Sequence, residues 1–255
     1  MKFYDKNGIM LDSDEMGYEK FIEEFLKQYE PPYFVGEPPV KSVSGRVIGQ
    51  NSHLAEKEMQ TYLEKGIMHS EDVIKILDWK IGRIDHKASD IEGVVQYKDI
   101  PFDHFVVRSM YGKEIKVKKL CNYIASQYSS LSIQTPEEIY RSLLNLNISG
   151  LGTVYLLTLV YFISKGESPI YDRFAHQALD ALEKGLEPKA NEVPKHTVPG
   201  KNSKHAFNWF ENQYAKRLKT MFPGYYKERK LDRVLWVYGH LFKDSAKGKV
   251  ISIDL

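Results

Sequence analysis

The residues whose types and order bear most directly on chemistry lie between Asn147 and Asp172, in the run NISGLGTVYLLTLVYFISKGESPIYD. Gly150 and Gly152 stand just before a nearly uncharged apolar stretch that begins at Thr153. Glycines there permit a tight turn whose backbone N–H groups face outward at a helix start, where the helix dipole also favours an anion. The same glycines serve equally well to bring two helices close together. Asp172 closes a Pro169-Ile170-Tyr171 corner and precedes Arg173-Phe174-Ala175. An aspartate in that position is a favoured helix cap. Held in orientation by that cap, its carboxylate is also placed to stabilise a developing positive charge or to position a water, so the two roles are compatible.

Other residues with chemical potential are more scattered. Lys113 and Lys116, with Lys118 and Lys119, give one helix a strongly basic start, which is either a solvated face or an anion-facing one. His176, Trp236 and His240, together with Phe174, Trp209, Phe210 and Tyr238, lie on helices after the corner; they are core side chains or walls of a pocket. The single cysteine, Cys121, excludes an intramolecular disulfide framework and reads as a buried thiol on a helix. No His/Cys/Asp group has zinc-finger spacing, and neither a phosphate-binding P-loop nor a dinucleotide glycine motif follows a strand, so no metal ligand is assigned.

These residues need elements to position them, and the hydrophobic period supplies mostly helices. Helices are expected over 12–28, 54–66, 70–82, 113–128, 135–147, 153–164, 173–185, 203–222 and 231–243. Thr135-Pro136-Glu137-Glu138 carries a capping box with proline at the first position. Prolines 31, 32, 38 and 39 make 30–49 a loop-rich arm, and 83–110 reads as a long loop with short extended pieces. Thirty-six basic against 34 acidic residues give a net charge of +2, too balanced to announce a nucleic-acid partner, so any basic face must be local. The 255 residues suffice for one substantial core or two modest ones. The longest apolar run, Val154 to Ile163, is far short of the roughly 20 residues that span a bilayer, and the N-terminus has no apolar signal core. A cytoplasmic protein with no membrane partner is therefore expected.

The segment Ile148-Ser149-Gly150-Leu151-Gly152, followed by an apolar helix and the Pro169-Ile170-Tyr171-Asp172 corner, resembles the signature of the helix-hairpin-helix DNA glycosylase superfamily, which includes the 8-oxoguanine, adenine and alkylbase glycosylases. The motifs cover roughly residues 113–180; the N-terminal third matches no motif. The resemblance implies a mainly α, two-lobed helical fold like that of 8-oxoguanine glycosylase, with a helix-hairpin-helix region over 111–255; the helical and loop-rich N-terminal region over 1–110 either completes a DNA cleft or is an unrelated recognition module. It implies double-stranded DNA as the partner, with Gly150, Gly152, Thr153, Lys113 and Lys116 on the backbone, Asp172 as the catalytic carboxylate, and His176, Trp236 and His240 around an extruded base. No cofactor is implied beyond a monovalent cation on the hairpin carbonyls, and a monomer is favoured. Val154 stands where bifunctional members carry a lysine, so the resemblance implies hydrolysis of the N-glycosidic bond without Schiff-base chemistry, or a catalytically inactive DNA-binding or scaffold module.

Overall fold

The computed structural model describes residues 2–11, 15–31, 37–42, 47–82, 84–85, 94–97, 111–148, 151–196, 198–199 and 205–244, and the chain is mainly helical. Its helices are α1 (Glu15–Tyr29), α2 (Gln50–Lys65), α3 (Ser70–Lys80), α4 (Tyr111–Leu131), α5 (Pro136–Asn145), α6 (Thr153–Ile163), α7 (Arg173–Lys184), α8 (His205–Phe210), α9 (Lys216–Met221) and α10 (Arg229–Gly239). A π-helical stretch, Glu211–Ala215, joins α8 to α9 without a break. The strands are two residues each: β1 (Phe3–Tyr4) pairs antiparallel with β2 (Met10–Leu11), β3 (Val40–Lys41) antiparallel with β4 (Val47–Ile48), and β5 (Glu192–Val193) parallel with β6 (Lys243–Asp244). Among the described residues no helix is long and apolar enough to cross a membrane.

Local signals account for most helix boundaries. At the start of α5, Glu138 N–H donates to Thr135 Oγ1 at 3.4 Å and Thr135 N–H donates to Glu138 Oε2 at 2.9 Å, the reciprocal pair that the sequence predicts. Helix α7 ends on Gly185, whose left-handed φ of 63° lets its N–H return to the last turn. Helix α2 starts at Gln50, earlier than the apolar period alone suggests, because Gly49 N–H donates to Ser52 Oγ at 3.4 Å and opens a capped first turn over Gln50-Asn51-Ser52. Asn51 then faces inward: its Nδ2 donates to the carbonyls of Asp85 at 2.8 Å and Gln96 at 2.6 Å, and its Oδ1 accepts from Gln96 N–H at 2.8 Å. One amide thereby holds two pieces of the irregular stretch after α3.

The core forms around the two least polar surfaces. Helix α6, TVYLLTLVYFI, is buried from Leu156 through Ile163 and packs against α2, α3 and α5, while α3 also packs on α4. The second assembly is α1, α7 and α10: Phe21 and Phe25 of α1 both meet Tyr238 of α10 edge-on with centroids 5.1 Å apart, and α10 lies along α7. Contacts therefore run across residue 110 in both assemblies, from α1 to α10 and from α3 to α4 and α6.

The α7–α10 crossing is set by one residue. A Cβ built on Gly239 would lie 1.8 Å from the Phe174 carbonyl oxygen, which is backbone and has no rotamer to move aside. Only glycine allows this approach, and it fixes α10 against the first turn of α7, beside Asp172. By contrast Gly152 has an ordinary φ of −73°, and a Cβ there would meet only Tyr155 Cδ2 at 4.0 Å. We expect Gly239→Ala to lose about 3 kcal/mol in urea unfolding through overpacking, while Gly152→Ala loses less than about 1 kcal/mol. Equal losses in the two variants would refute the close-approach argument.

Candidate functional site

Asp172 stands at the end of an extended corner whose other members are inside the protein. Ser168, Pro169, Ile170 and Tyr171 are all buried. The Tyr171 ring is held on several sides, with centroids 5.2 Å from Tyr214 and 5.7 Å from Trp209. The backbone entering Asp172 is thus fixed by packing before any polar contact is made. Asp172 is the cap of α7: its Oδ1 accepts from Phe174 N–H at 2.8 Å. Its Oδ2 faces Lys80 Nζ at 3.4 Å, and the same ammonium donates to the Tyr171 carbonyl at 3.1 Å. The Lys80 side chain is 10% exposed and that of Asp172 22%, so the pair is neither on the open surface nor sealed.

Behind this pair lies a buried charge cluster. Arg229, 8% exposed at the start of α10, donates through Nη2 to Glu56 Oε2 at 3.0 Å and through Nη1 to Asp232. Its guanidinium lies 4.7 Å over the Trp79 ring. Glu56 Oε1 accepts from Tyr29 Oη at 2.6 Å and from Trp79 Nε1 at 3.0 Å. Burial lifts the Asp232 carboxyl from the ordinary aspartate range to about 6, with Asp172 and Glu56 pushing the same way and Arg229 and Lys80 opposing. Asp172 and Asp232 are therefore electrostatic neighbours, with Lys80 acting on both.

On the side of Phe174 the site is aromatic. The His240 ring stacks on Phe174 at 3.4 Å, Trp236 lies 4.2 Å from His240, and the Arg173 guanidinium sits 4.4 Å over Phe174. His240 Nδ1 donates to the Trp236 carbonyl at 2.7 Å, and burial pulls the imidazole below its usual range, so it is a neutral ring. These three aromatic side chains are half-buried, and the charge of Asp172 is felt at His240. The structure thus brings Trp236 and His240 together on the Phe174 side of Asp172.

It places His176 elsewhere. That side chain is fully buried behind Tyr171, in a cluster the sequence spacing only half reveals: His176 and Asp180 share a face of α7, and His196 arrives from the connection after it. The rings of His176 and His196 stack at 3.5 Å with an interplanar angle of 7°. Asp180 accepts from His196 Nε2 at 2.7 Å and from Arg217 Nη2 at 2.6 Å, while Arg217 Nη1 reaches His176 Nε2 at 3.2 Å and His176 Nδ1 faces Tyr171 Oη at 3.4 Å. Ligating atoms of the three side chains lie within 4.8 Å of one another. Parallel stacked imidazoles cannot both aim in-plane lone pairs at one ion, and Arg217 already supplies the positive charge, so the geometry suits a hydrogen-bonded lock better than a metal centre.

The hairpin residues are less fully placed. Gly152 is the N-cap of α6, and Thr153 turns its hydroxyl inward to donate to the Pro199 carbonyl at 3.0 Å. Thr153 is buried in that contact, so its side chain is committed to the connection after α7. Gly150 lies outside the described residues; Lys113 and Lys116 fall within α4, with side chains outside the described set. Val154, half-buried on α6, brings no amine to this end of the helix. Sequence reasoning missed Lys80, Arg229 and Glu56. Asp232 and Arg233 were visible only as polar interruptions on an apolar helix, and that interruption was the available signal.

Two measurements test these arrangements. Burial, reinforced by His196, lowers His176 to about 3 from an ordinary 6.5. Between those values the unfolded chain takes up a proton that the folded chain does not, so stability falls as pH falls through that window. Asp180, held below the ordinary aspartate range by His196 and Arg217 against the opposing effect of burial, adds the same sign at lower pH. Urea melts should show wild-type stability dropping between pH 6.5 and 4.5 by up to about 1.4 kcal/mol per unit, with a flatter dependence in His176→Gln; identical slopes would refute the assignment. Arg229→Met, which leaves Glu56 buried without its guanidinium, should lose about 3–5 kcal/mol. A loss under about 1 kcal/mol, the scale of a surface pair, would show the cluster to be solvated.

Comparison of the chain with protein-family models, with curated proteins and with solved structures gives no match.

Proposed function

We propose that the chain binds duplex DNA through a helix-hairpin-helix unit and hydrolyses the N-glycosidic bond of a damaged or modified base, with Asp172 as the catalytic carboxylate. The observation that carries this reading is the presentation of Asp172: one oxygen is fixed by Phe174 N–H, the other is turned toward a single ammonium, and the group opens beside half-buried rings. A base extruded from the duplex needs rings to stack against; Phe174 is already covered by His240 and Arg173, which leaves Trp236 and His240 as the rings for that role.

The chemistry asked of Asp172 is electrostatic. As the bond between sugar and base lengthens, positive charge develops on the sugar; a nearby carboxylate stabilises it, and water adds to the sugar carbon while the base leaves with its electron pair and takes up a proton. Asp172 orients that water and accepts its proton. Asp232, a buried carboxylate paired with Arg229, adds negative charge on the same side of the site. The side chain at Val154 offers no amine for a Schiff base, which supports hydrolysis without strand cleavage. The reading places the protein in the cytoplasm, as a monomer on double-stranded DNA.

One observation favours a second reading, a non-catalytic DNA-binding or scaffold module. Both Asp172 oxygens already have partners, as a cap and an ion pair require, and Thr153 is committed to Pro199. Base release from a panel of lesion-bearing duplexes separates the two. The catalytic reading expects release by wild type and a loss of about 100-fold or more in Asp172→Asn, with duplex binding retained. Salt-sensitive binding with no release from any lesion would favour the module. Absence of binding at low salt would overturn both.

A further inference from the structure

A cavity of about 470 Å³ opens between the second half of α2, the C-terminal end of α6 and the first turn of α10; Asp172 is not among its lining residues. Five of the lining side chains are cationic, Lys165, Lys227, Arg229, Lys230 and Arg233, against two that are acidic, Glu64 and Glu228. The cations come from three places in the chain, the turn after α6, the approach to α10 and α10 itself, so their convergence is a product of the fold.

Their present partners leave capacity for an anion. Lys227 pairs with Glu167 at 2.6 Å and Lys230 with Glu228 at 2.7 Å, both half-exposed contacts of the kind that contributes little and yields to a stronger acceptor. Lys165, at a left-handed φ of 51° in the turn after α6, has no ion-pair partner among the described residues. Arg229 is committed to Glu56 and Asp232 and Arg233 to Glu30, so these two contribute charge to the wall and the lysines contribute the free donors. Tyr161, at 2% exposure, forms part of the cavity wall. The N-terminus of α10 opens here as well, and its cap residue Glu228 makes no side-chain capping bond.

We propose that this cavity binds the phosphate groups of a small phosphorylated molecule of nucleotide size. Phosphate answers several donors at once, as guanidinium, ammonium and helix-terminal N–H groups require. The volume falls within the roughly 300–1,000 Å³ of small-molecule sites. The proposal does not rest on the glycosidic reading: Asp172 does not line the cavity, and Arg229, which belongs to the cluster behind Asp172, is left unchanged in the test below.

Titration calorimetry at low ionic strength with inorganic pyrophosphate and with adenosine diphosphate tests it on the full chain. Both should bind saturably, adenosine diphosphate more tightly because it fills more of the volume. The double variant Lys165→Glu/Lys230→Glu should weaken both by about tenfold or more with no change in melting temperature, because both positions are exposed. Wild type that shows no saturable binding, or binding that survives the double charge reversal, overturns the proposal. A 5′-phosphorylated oligonucleotide that displaces adenosine diphosphate at lower concentration, in a manner sensitive to the double variant, assigns the phosphate to a nucleic-acid end and overturns the small-molecule assignment. Failure of every base-release assay leaves these outcomes untouched.

Discussion

A guanidinium withdrawn from water is the constraint around which the rest of this structure is arranged. Arg229 is far too costly to bury alone, and burial is tolerated only because Glu56 comes from α2, Asp232 from the next turn of α10, Tyr29 from α1 and the face of Trp79 from α3. Each of those groups must be within hydrogen-bond or ring-stacking distance at once, so the cluster specifies how α1, α2 and α3 sit against α10. Ion clusters of this kind add little net stability compared with apolar packing; what they do well is discriminate, because a shifted helix leaves an unpaired charge inside. Hydrophobic burial around α6 and at the α1–α10 contact drives the folding, and the cluster selects the register.

Lys80 extends that selection to Asp172. It stands one residue after Trp79, whose ring carries Arg229 on its face, so the helix position that satisfies the cluster also delivers the ammonium to the α7 cap. From the other side Gly239 brings α10 against the Phe174 carbonyl, and Trp236 and His240, one turn and one residue away on the same helix, arrive beside the carboxylate. The corner is therefore positioned by two independent constraints, one electrostatic and one steric. Agreement between them is what makes a single orientation of the Asp172 side chain possible.

Much of this was legible in the sequence, and the division has a physical cause. Local rules reach a few residues, and where the determinants were local they worked: the Thr135–Glu138 box, the Asp172 cap, the helix end at Gly185 and the buried Cys121 all appear as read, and the helix expected over 203–222 buries the apolar stripe Phe207-Phe210-Tyr214-Leu218. The π-helical stretch inside that stripe was not readable, since spacings of three and four residues fit an α-helix equally well. Lys80, Glu56 and Arg229 were silent for a stronger reason. Each is an ordinary charged residue in its own helix, and only the packing of the helices reveals that Arg229 meets Glu56 and Lys80 meets Asp172. His176 shows the same limit: it stands at i, i+4 to Asp180, but His196 and Arg217 come from distant turns, and only the fold shows them closing on it.

The distribution of charge also bears on what the carboxylate can do. An aspartate surrounded by several donors is stabilised equally in every state of a reaction and gains nothing as charge develops nearby. Asp172 has one backbone N–H on one oxygen and one ammonium, at the long end of hydrogen-bond distance, on the other. A cation forming beside the phenyl face of Phe174 would meet a carboxylate whose orientation is already fixed and whose solvation is already partly removed, so little reorganisation would accompany the interaction. The same sparse coordination is what a simple cap needs, which is why the local geometry of Asp172 is common to both readings. The two readings differ in the use they make of its surroundings: a structural cap has no need of the stacked Phe174 and His240 rings beside it, whereas a group acting on an extruded base would use an aromatic wall.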